Sequence, residues 1–232
     1  MIEDKIQPAL VDMTFRAVNN MTGVYNRFSL PVISTGRSFA YYRKIFFNKQ
    51  CPRNILSSLA DKKIVDIGCG LTPYVSNSMF QACHKAGVEF YGVDPKLADG
   101  FKFGPFDSAK IRAVGGGRMN KDAPGLEKGI GTLADDLPFD DNSVDLLLSC
   151  YVLFAWISDE EILEKIFSEF LRVLKPGGEV RIYPAPYDRK DEIKNPDLRK
   201  LMQQFDVKQQ FSANLLLIGK YPPAYMRTMV KK

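Results

Sequence analysis

The sequence predicts an α/β protein: an open, largely parallel sheet wound with helices on both faces, ended by an antiparallel hairpin and preceded by a helical extension. Three observations predict it. The compact apolar runs KKIVDIG (62–68), VEFYGVD (88–94) and SVDLLLSC (143–150) have the length and near-continuous hydrophobicity of strands buried on both faces. Helical apolar periodicity separates them and is best developed between 158 and 174. Two strand-like runs then follow each other near the C-terminus without a helix between them, which leaves a hairpin at the end of an alternating pattern.

The elements can be justified in chain order. Residues 1–60 hold 8 basic and 3 acidic side chains while residues 61–232 hold 24 of each, so the net charge of +5 of this 232-residue chain resides in its first quarter. That shift divides the chain into an N-terminal helical extension or lid, 1–60, and a core, 61–232. In the core, Thr72 reads as an N-cap with Pro73 at the first helical position, followed by Val75, Met79, Phe80 and Cys83 on one face. A long connection, 97–128, leads to a third strand expected near 130–134. After the fourth strand, Ser158 and Glu161 have capping-box spacing, and Ile162, Leu163, Ile166, Phe167, Phe170, Leu171 and Leu174 form one stripe. Pro176, Gly177 and Gly178 stop that helix. A strand at 179–184, a helix around 196–204 and a hairpin at 206–221 with its turn at Ala213-Asn214 complete the pattern.

Composition excludes several classes. With 45% hydrophobic and 25% charged residues the chain is neither disordered nor fibrous. Four scattered cysteines, Cys51, Cys69, Cys83 and Cys150, do not make a disulfide framework and read as reduced thiols. The longest nearly uncharged apolar run, 146–157, is shorter than a bilayer requires, and MIEDKIQPAL has no basic region leading into an apolar one. A soluble, cytoplasmic protein is expected, without a membrane span.

The chemistry centres on the loop Asp66-Ile67-Gly68-Cys69-Gly70-Leu71-Thr72-Pro73, where glycines let a ligand approach the backbone. A dinucleotide fingerprint would place its third glycine at 73, where this chain has Pro73. An acid two positions before the first glycine repels phosphate and suits a cationic ligand bearing an amino group.

DIGCG, with VD at 93–94, ADDLPFDDNSVDLLLS at 134–149 and RVLKPGGEV at 172–180, resembles the class I S-adenosylmethionine-dependent methyltransferases, in that family's order and spacing over roughly residues 60–220. The resemblance implies a Rossmann-like, doubly wound, seven-stranded sheet whose last strand is antiparallel. It also implies S-adenosyl-L-methionine as cofactor, S-adenosyl-L-homocysteine as product, and a ligand lying across the carboxyl ends of the strands. Carried over by position, Gly68, Cys69 and Gly70 hold the methionine part with Asp66 near its ammonium end, and Asp94, followed by Pro95, takes the ribose hydroxyls. Ala134 and Asp135 contact the adenine. Ser149, Cys150 and Tyr151 face the sulfonium and the acceptor, with Tyr151 as the candidate catalytic side chain. Two departures stand out: Leu133 where an acid is common, and Thr72 where a third alternate glycine is common.

Alternative assignments are structural. Asp66 can cap the next turn, and Asp94 before Pro95 can be a turn residue. Cys69 and Cys150 read as small packing residues, and His84, the only histidine, as an exposed helix residue. GGGR (115–118) reads as a loop tip, and YPPAY (221–225) is misplaced for a base-methylating signature. Tyr183 and Tyr187 join Tyr151 as strand-end hydrogen-bond candidates. Arg16, Arg27, Arg37, Arg43 and Lys44, interleaved with aromatics, are either solvated helix faces or the wall of an acceptor pocket, where an arginine would meet the cofactor carboxylate or an acidic acceptor. The expected activity is direct, in-line methyl transfer to a small molecule, acidic or aromatic, with no nucleic acid partner and no metal. A noncatalytic scaffold of the same fold and an RNA methyltransferase remain the alternatives.

Overall fold

Alternation within the strands decides which helix packs on which face. A computed structural model describes residues 3–27, 36–98, 119–186, 193–212 and 223–232. Strands β1 (Lys63–Ile67), β2 (Glu89–Val93), β3 (Gly129–Ile130), β4 (Val144–Cys150), β5 (Leu174–Ala185), β6 (Phe205–Ser212) and β7 (Ala224–Lys231) form one seven-stranded sheet in the order β3-β2-β1-β4-β5-β7-β6. Strands β1 to β5 pair in parallel, and β7 runs antiparallel to both β5 and β6. Val65, Ile67, Leu147, Val180 and Ile182 point to one face and Ile64, Phe90, Leu146, Leu148 and Tyr183 to the other, as period-two side chains require.

Each face carries its own helices. The first core takes Val11 and Phe15 from α1 (Glu3–Arg27), Leu163, Ile166, Phe167 and Phe170 from α5 (Glu160–Val173), and Leu198 and Met202 from α6 (Pro196–Met202). The second takes Tyr41, Tyr42, Ile45 and Phe46 from α2 (Phe39–Phe46), Ile55 from α3 (Pro52–Ser58), and Met79, Phe80 and Cys83 from α4 (Met79–Lys85). Sheet order reverses between β1 and β4, and the carboxyl ends of the strands at such a switch point are where sheets of this topology form a ligand crevice.

The Leu137-Pro138-Phe139 segment is joined to α5 by one side chain. The Arg172 guanidinium donates to the carbonyls of Leu137 (2.9 Å) and Phe139 (2.8 Å), to Asp141 Oδ1 (2.7 Å) and to both Glu169 oxygens. Glu169 Oε1 in turn accepts the Leu137 N–H at 2.8 Å, and its hydrogen bonds with Arg172 hold its pKa below the ordinary carboxylate value. The loop after β3 is thereby fixed to α5.

Several boundaries differ from those expected. Residues Thr72–Tyr74 make only a 3₁₀ turn, and α4 starts at Met79 with Ser78 Oγ accepting the Gln81 N–H. The Thr72 hydroxyl is taken instead by the Arg37 N–H at 3.3 Å, so it caps no helix. Asp159, not Ser158, caps α5: one carboxylate oxygen accepts both the Glu161 and Ile162 N–H groups, and its charge suits a helix N-terminus. Ile162 lies off the buried stripe and is exposed, while Leu174 already begins β5. The third strand is shorter than expected, at Gly129–Ile130. β6 pairs along its length with Ala224–Lys231, whose alternation sends Ala224 and Met226 to one core and Tyr225 and Met229 to the other. The expected strand at 214–221, the 115–118 tip and Tyr187 lie outside the described residues.

Candidate functional site

Glycine is required where β1 turns out of the sheet. Gly68 (φ 65°) and Gly70 (φ 55°) are both left-handed, and a Cβ on Gly68 would stand 2.2 Å from Val152 Cγ2. The Gly68 and Cys69 N–H groups donate to the Val93 carbonyl at 2.7 and 3.1 Å. The Gly70 N–H donates to Asp94 Oδ2 at 3.0 Å, and the Lys96 N–H donates to Asp94 Oδ1 at 3.0 Å. Asp94 thus stitches the ends of β1 and β2 together and caps the turn Pro95–Leu97. Each of its oxygens keeps further accepting capacity, so the turn role does not exhaust the half-buried carboxylate.

Asp66 is fully buried. Its Oδ2 accepts the Tyr42 hydroxyl at 2.7 Å, whereas Oδ1 has no hydrogen-bond partner. Burial pushes its pKa up to about 7; the Tyr42 hydrogen bond and the Arg37 charge oppose that rise, and Asp94 adds to it. Burial, then the facing carboxylate, also raises the Tyr42 phenol well above its ordinary value. A buried carboxyl with one oxygen unpaired costs folding energy, on the order of 1–3 kcal/mol for a single orphaned group. Its position beside the glycine turn makes it a ready acceptor for a cationic donor.

The loop after β4 closes over the turn in a strained conformation. Tyr151 (φ 66°) and Phe154 (φ 63°) are left-handed despite their bulk, which is uncommon and characteristic of sites where surrounding contacts impose the backbone. The Tyr151 N–H donates to the Tyr183 carbonyl at 2.7 Å, and the two rings meet edge-on at 5.8 Å. The Tyr41 hydroxyl donates to the Tyr151 hydroxyl at 3.5 Å. Between those two rings lies the Arg37 guanidinium, 4.9 Å from the Tyr41 centroid and 4.4 Å from that of Tyr151. Ser149 is buried beneath, its Oγ accepting the Leu153 N–H at 3.5 Å.

Neither cysteine of the crevice is a thiolate. Burial pushes Cys150 up to about 12 against the opposing charge and hydrogen bond of Arg37, and burial likewise raises Cys69. They pack as small side chains.

The loops after β2 and β3 abut. The Asp94 N–H donates to the Ile130 carbonyl at 3.1 Å, and a Cβ on Gly131 would stand 2.2 Å from Ala98. Ala134 and Asp135 follow as half-buried residues, Ala134 against the first core, while Leu133 points outward with 57% exposure. The structure therefore brings Asp66, Gly68, Cys69, Gly70, Ser149, Cys150 and Tyr151 around one crevice, with Asp94 and Pro95 adjoining and Ala134 and Asp135 beyond them. His84 stands apart: it is half-buried, not exposed, with its ring beneath Gly125. Tyr41 and Tyr42 were not singled out by sequence, since only folding brings them to positions 151 and 66.

A cavity of about 500 Å³ lies near the amino ends of β4 and β5, away from the glycine turn, and is lined in part by Phe47, Lys62, Asp145, Lys175 and Arg181. Two of its cations are paired within the wall, Lys175 with Asp145 (2.8 Å) and Arg181 with Glu179 (2.7 Å). Among the described residues no cluster of three or more His, Cys, Asp or Glu side chains could hold a metal ion, and no helix is long and apolar enough to cross a membrane.

Residues 112–182 match the family described as a methyltransferase domain. Comparison with curated proteins found no match. Among solved structures, the chain is similar to a SAM-dependent methyltransferase from Methanosarcina mazei, with 17% identity over 76% of this chain and 96% of that one and a TM-score of 0.43. It is similar as well to a SAM-dependent methyltransferase from Archaeoglobus fulgidus (16% identity, 84% and 99% covered, TM-score 0.43). A third is the geranyl diphosphate C-methyltransferase from Streptomyces coelicolor A3(2) (15% identity, 84% and 83% covered, TM-score 0.38).

Proposed function

We propose, from the premise that this chain carries a methyltransferase domain on the class I methyltransferase fold, that it transfers a methyl group from S-adenosylmethionine to a small-molecule acceptor and releases S-adenosylhomocysteine. One observation carries this reading: the buried Asp66, with one oxygen unpaired, stands beside a left-handed glycine turn at the point where sheet order reverses. The residues fit the cofactor in kind. A buried carboxylate oxygen without a donor suits an ammonium group, and phosphate would be repelled there.

Asp66, Gly68, Cys69 and Gly70 would hold the methionine part, Asp94 and Pro95 the ribose, and Ala134 and Asp135 the adenine. Ser149 and Cys150 would border the sulfonium, and Tyr151 the acceptor. When bound, the cofactor supplies an electrophilic methyl group open to in-line displacement. The chain contributes alignment and exclusion of water, effects worth about 7–11 kcal/mol in well-oriented systems. Tyr41, Tyr151 and Tyr183 give the crevice aromatic walls. These support a small acceptor, acidic or aromatic, and the Tyr151 hydroxyl, beside that of Tyr41, would orient an acceptor proton. Residues 1–60 act as the extension that completes the site, through Arg37, Tyr41 and Tyr42. The four free cysteines suit a reducing compartment, and we place the protein in the cytoplasm.

Thermal shift with S-adenosylmethionine and S-adenosylhomocysteine tests this reading. Stabilisation by both ligands is expected, with strong weakening by Asp94→Ala. Asp94→Asn, which keeps one accepting oxygen, separates loss of the Gly70 turn from loss of the ligand. No shift at millimolar ligand refutes it.

A further inference from the structure

We infer that the cavity at the amino ends of β4 and β5 is a ligand site separate from the crevice beside the glycine turn, and that it takes a small hydroxylated anion: a carbon chain or ring bearing several hydroxyls and one phosphate or carboxylate group. The inference does not depend on the proposed cofactor site.

The two sites lie at opposite ends of α2. Tyr41 and Tyr42 meet Tyr151 and Asp66 at the crevice, whereas Phe46 and Phe47, one turn further on, wall the cavity. A volume of about 500 Å³ is that of a small-molecule site.

The walls are held by bonds internal to the protein. Arg181 donates to Glu179 Oε2 from Nε (2.9 Å) and Nη2 (2.7 Å) and to the Phe46 carbonyl from Nη1 (2.9 Å), and its guanidinium lies 5.2 Å from the centroid of Phe47. Lys175 Nζ donates to both Asp145 oxygens at 2.9 and 2.8 Å, and Asp145 Oδ2 also accepts the Lys63 N–H at 2.9 Å. The rim after α2 is fixed by left-handed Asn48 (φ 47°) and Lys49 (φ 57°), with the Lys49 N–H donating to the Arg43 carbonyl and the Gln50 N–H to that of Phe47. A ligand therefore meets a pre-formed wall.

Charge and polarity define that ligand. Three cations line the cavity, Lys62, Lys175 and Arg181, against two acids, Asp145 and Glu179. Both acids are matched within the wall, by Lys175 and Arg181, while among the described residues exposed Lys62 has no carboxylate within ion-pair distance. The excess is one positive charge, which one oxyanion group neutralises. The remainder of the ligand is polar, because the apolar lining residues Phe46, Phe47, Leu59 and Leu146 are each no more than 5% exposed. Hydrogen-bonding groups stand in their place: the Asn48 and Gln50 amides and the Ser58 hydroxyl are exposed, and Thr228 is half-buried on the sheet. Ser58 Oγ donates to the Ile55 carbonyl at 2.8 Å and keeps its accepting capacity. An apolar anion would leave these groups unmatched, and an uncharged sugar would leave Lys62 unmatched.

Titration of the full chain, followed through its backbone amide resonances, tests the inference. Glucose 6-phosphate and gluconate carry hydroxyls with a phosphate or a carboxylate; glucose carries hydroxyls alone, and inorganic phosphate and acetate carry the anion alone. At least one of the two hydroxylated anions should bind saturably at millimolar concentration, and which of them binds tighter identifies the anionic group. Its binding should move the signals of Asn48, Lys62 and Gly177 and spare those of Gly68 and Gly70. Glucose and the matching bare anion should bind at least about tenfold more weakly, since each leaves one set of groups unmatched. Lys62→Gln should weaken the hydroxylated anion about fivefold, and Lys62→Arg, which keeps the charge, about twofold or less. The inference is overturned if neither hydroxylated anion gives a saturable shift, if the bare anion binds as well, if the shifts fall at Gly68 and Gly70, or if Lys62→Gln binds like wild type. Lys62 is exposed, so both variants should melt like wild type, and the wild-type shifts locate the site without either of them.

Discussion

Asp66→Asn should make the ligand-free protein more stable at alkaline pH while removing its affinity for the amino end of the ligand. The folded protein holds the Asp66 proton up to about pH 7, against an ordinary value of 3.8. Folding therefore takes up a proton between these values, and wild-type stability declines as pH rises through that window. A difference of about three pH units corresponds to about 4 kcal/mol at pH 8, at about 1.4 kcal/mol per unit. Asparagine carries no charge but leaves an amide N–H₂ where Oδ1 is now unpaired, a loss of about 1–3 kcal/mol. The variant should thus be about 1–3 kcal/mol more stable than wild type at pH 8 and equal or slightly less stable at pH 5. For a chain of this size each kcal/mol moves Tm by about 2–4 °C. Melting curves of both proteins at half-unit steps from pH 5 to 8 measure the effect. Parallel curves, or a variant destabilised equally at both ends, would refute the reasoning, because the cost would then not reside in the Asp66 charge.

Gly68→Ala should destabilise by at least about 2 kcal/mol, since a left-handed non-glycine residue costs about 1–2 kcal/mol and its Cβ would meet Val152. Adding Val152→Ala should recover the steric part alone, as denaturant unfolding would show. Arg172→Lys should cost about 1–3 kcal/mol by the same measurement, because one ammonium cannot replace the fork that joins two carbonyls, Glu169 and Asp141. Native protein treated with iodoacetamide at pH 8 should take one label, at Cys51, the exposed thiol; burial covers Cys69, Cys83 and Cys150 and raises their pKa. Mass spectrometry finding a second label on Cys69 or Cys150 would contradict the packing role given to them.

Strand-level features were legible because burial on both faces writes itself into short apolar runs: β1, β2 and β4 lie where KKIVDIG, VEFYGVD and SVDLLLSC place them. Caps were less legible. Thr72 and Ser158 have the right chemistry, but Thr72 is engaged by a residue 35 positions away and Asp159 outcompetes its neighbour by accepting two N–H groups. The strand β7 was obscured by its composition, since AYMRTMVK pairs between two strands while carrying a buried arginine, Arg227. At the site, the glycine turn and the acids at 66 and 94 stand in one local pattern and could be picked out. The Tyr41, Tyr42 and Arg37 contacts to positions 151 and 66 join segments distant in sequence and carry no local signal.

As proposed, the crevice at the carboxyl ends of β1 and β4 holds S-adenosylmethionine through Asp66, the glycine turn and Asp94. Calorimetric titration of S-adenosylhomocysteine into the wild-type protein and into Asp94→Ala at pH 8 tests it most directly. The expected result is saturable one-to-one binding to the wild type that is lost or strongly weakened in the variant. Absence of binding to the wild type at millimolar ligand, or identical binding by both proteins, would contradict it.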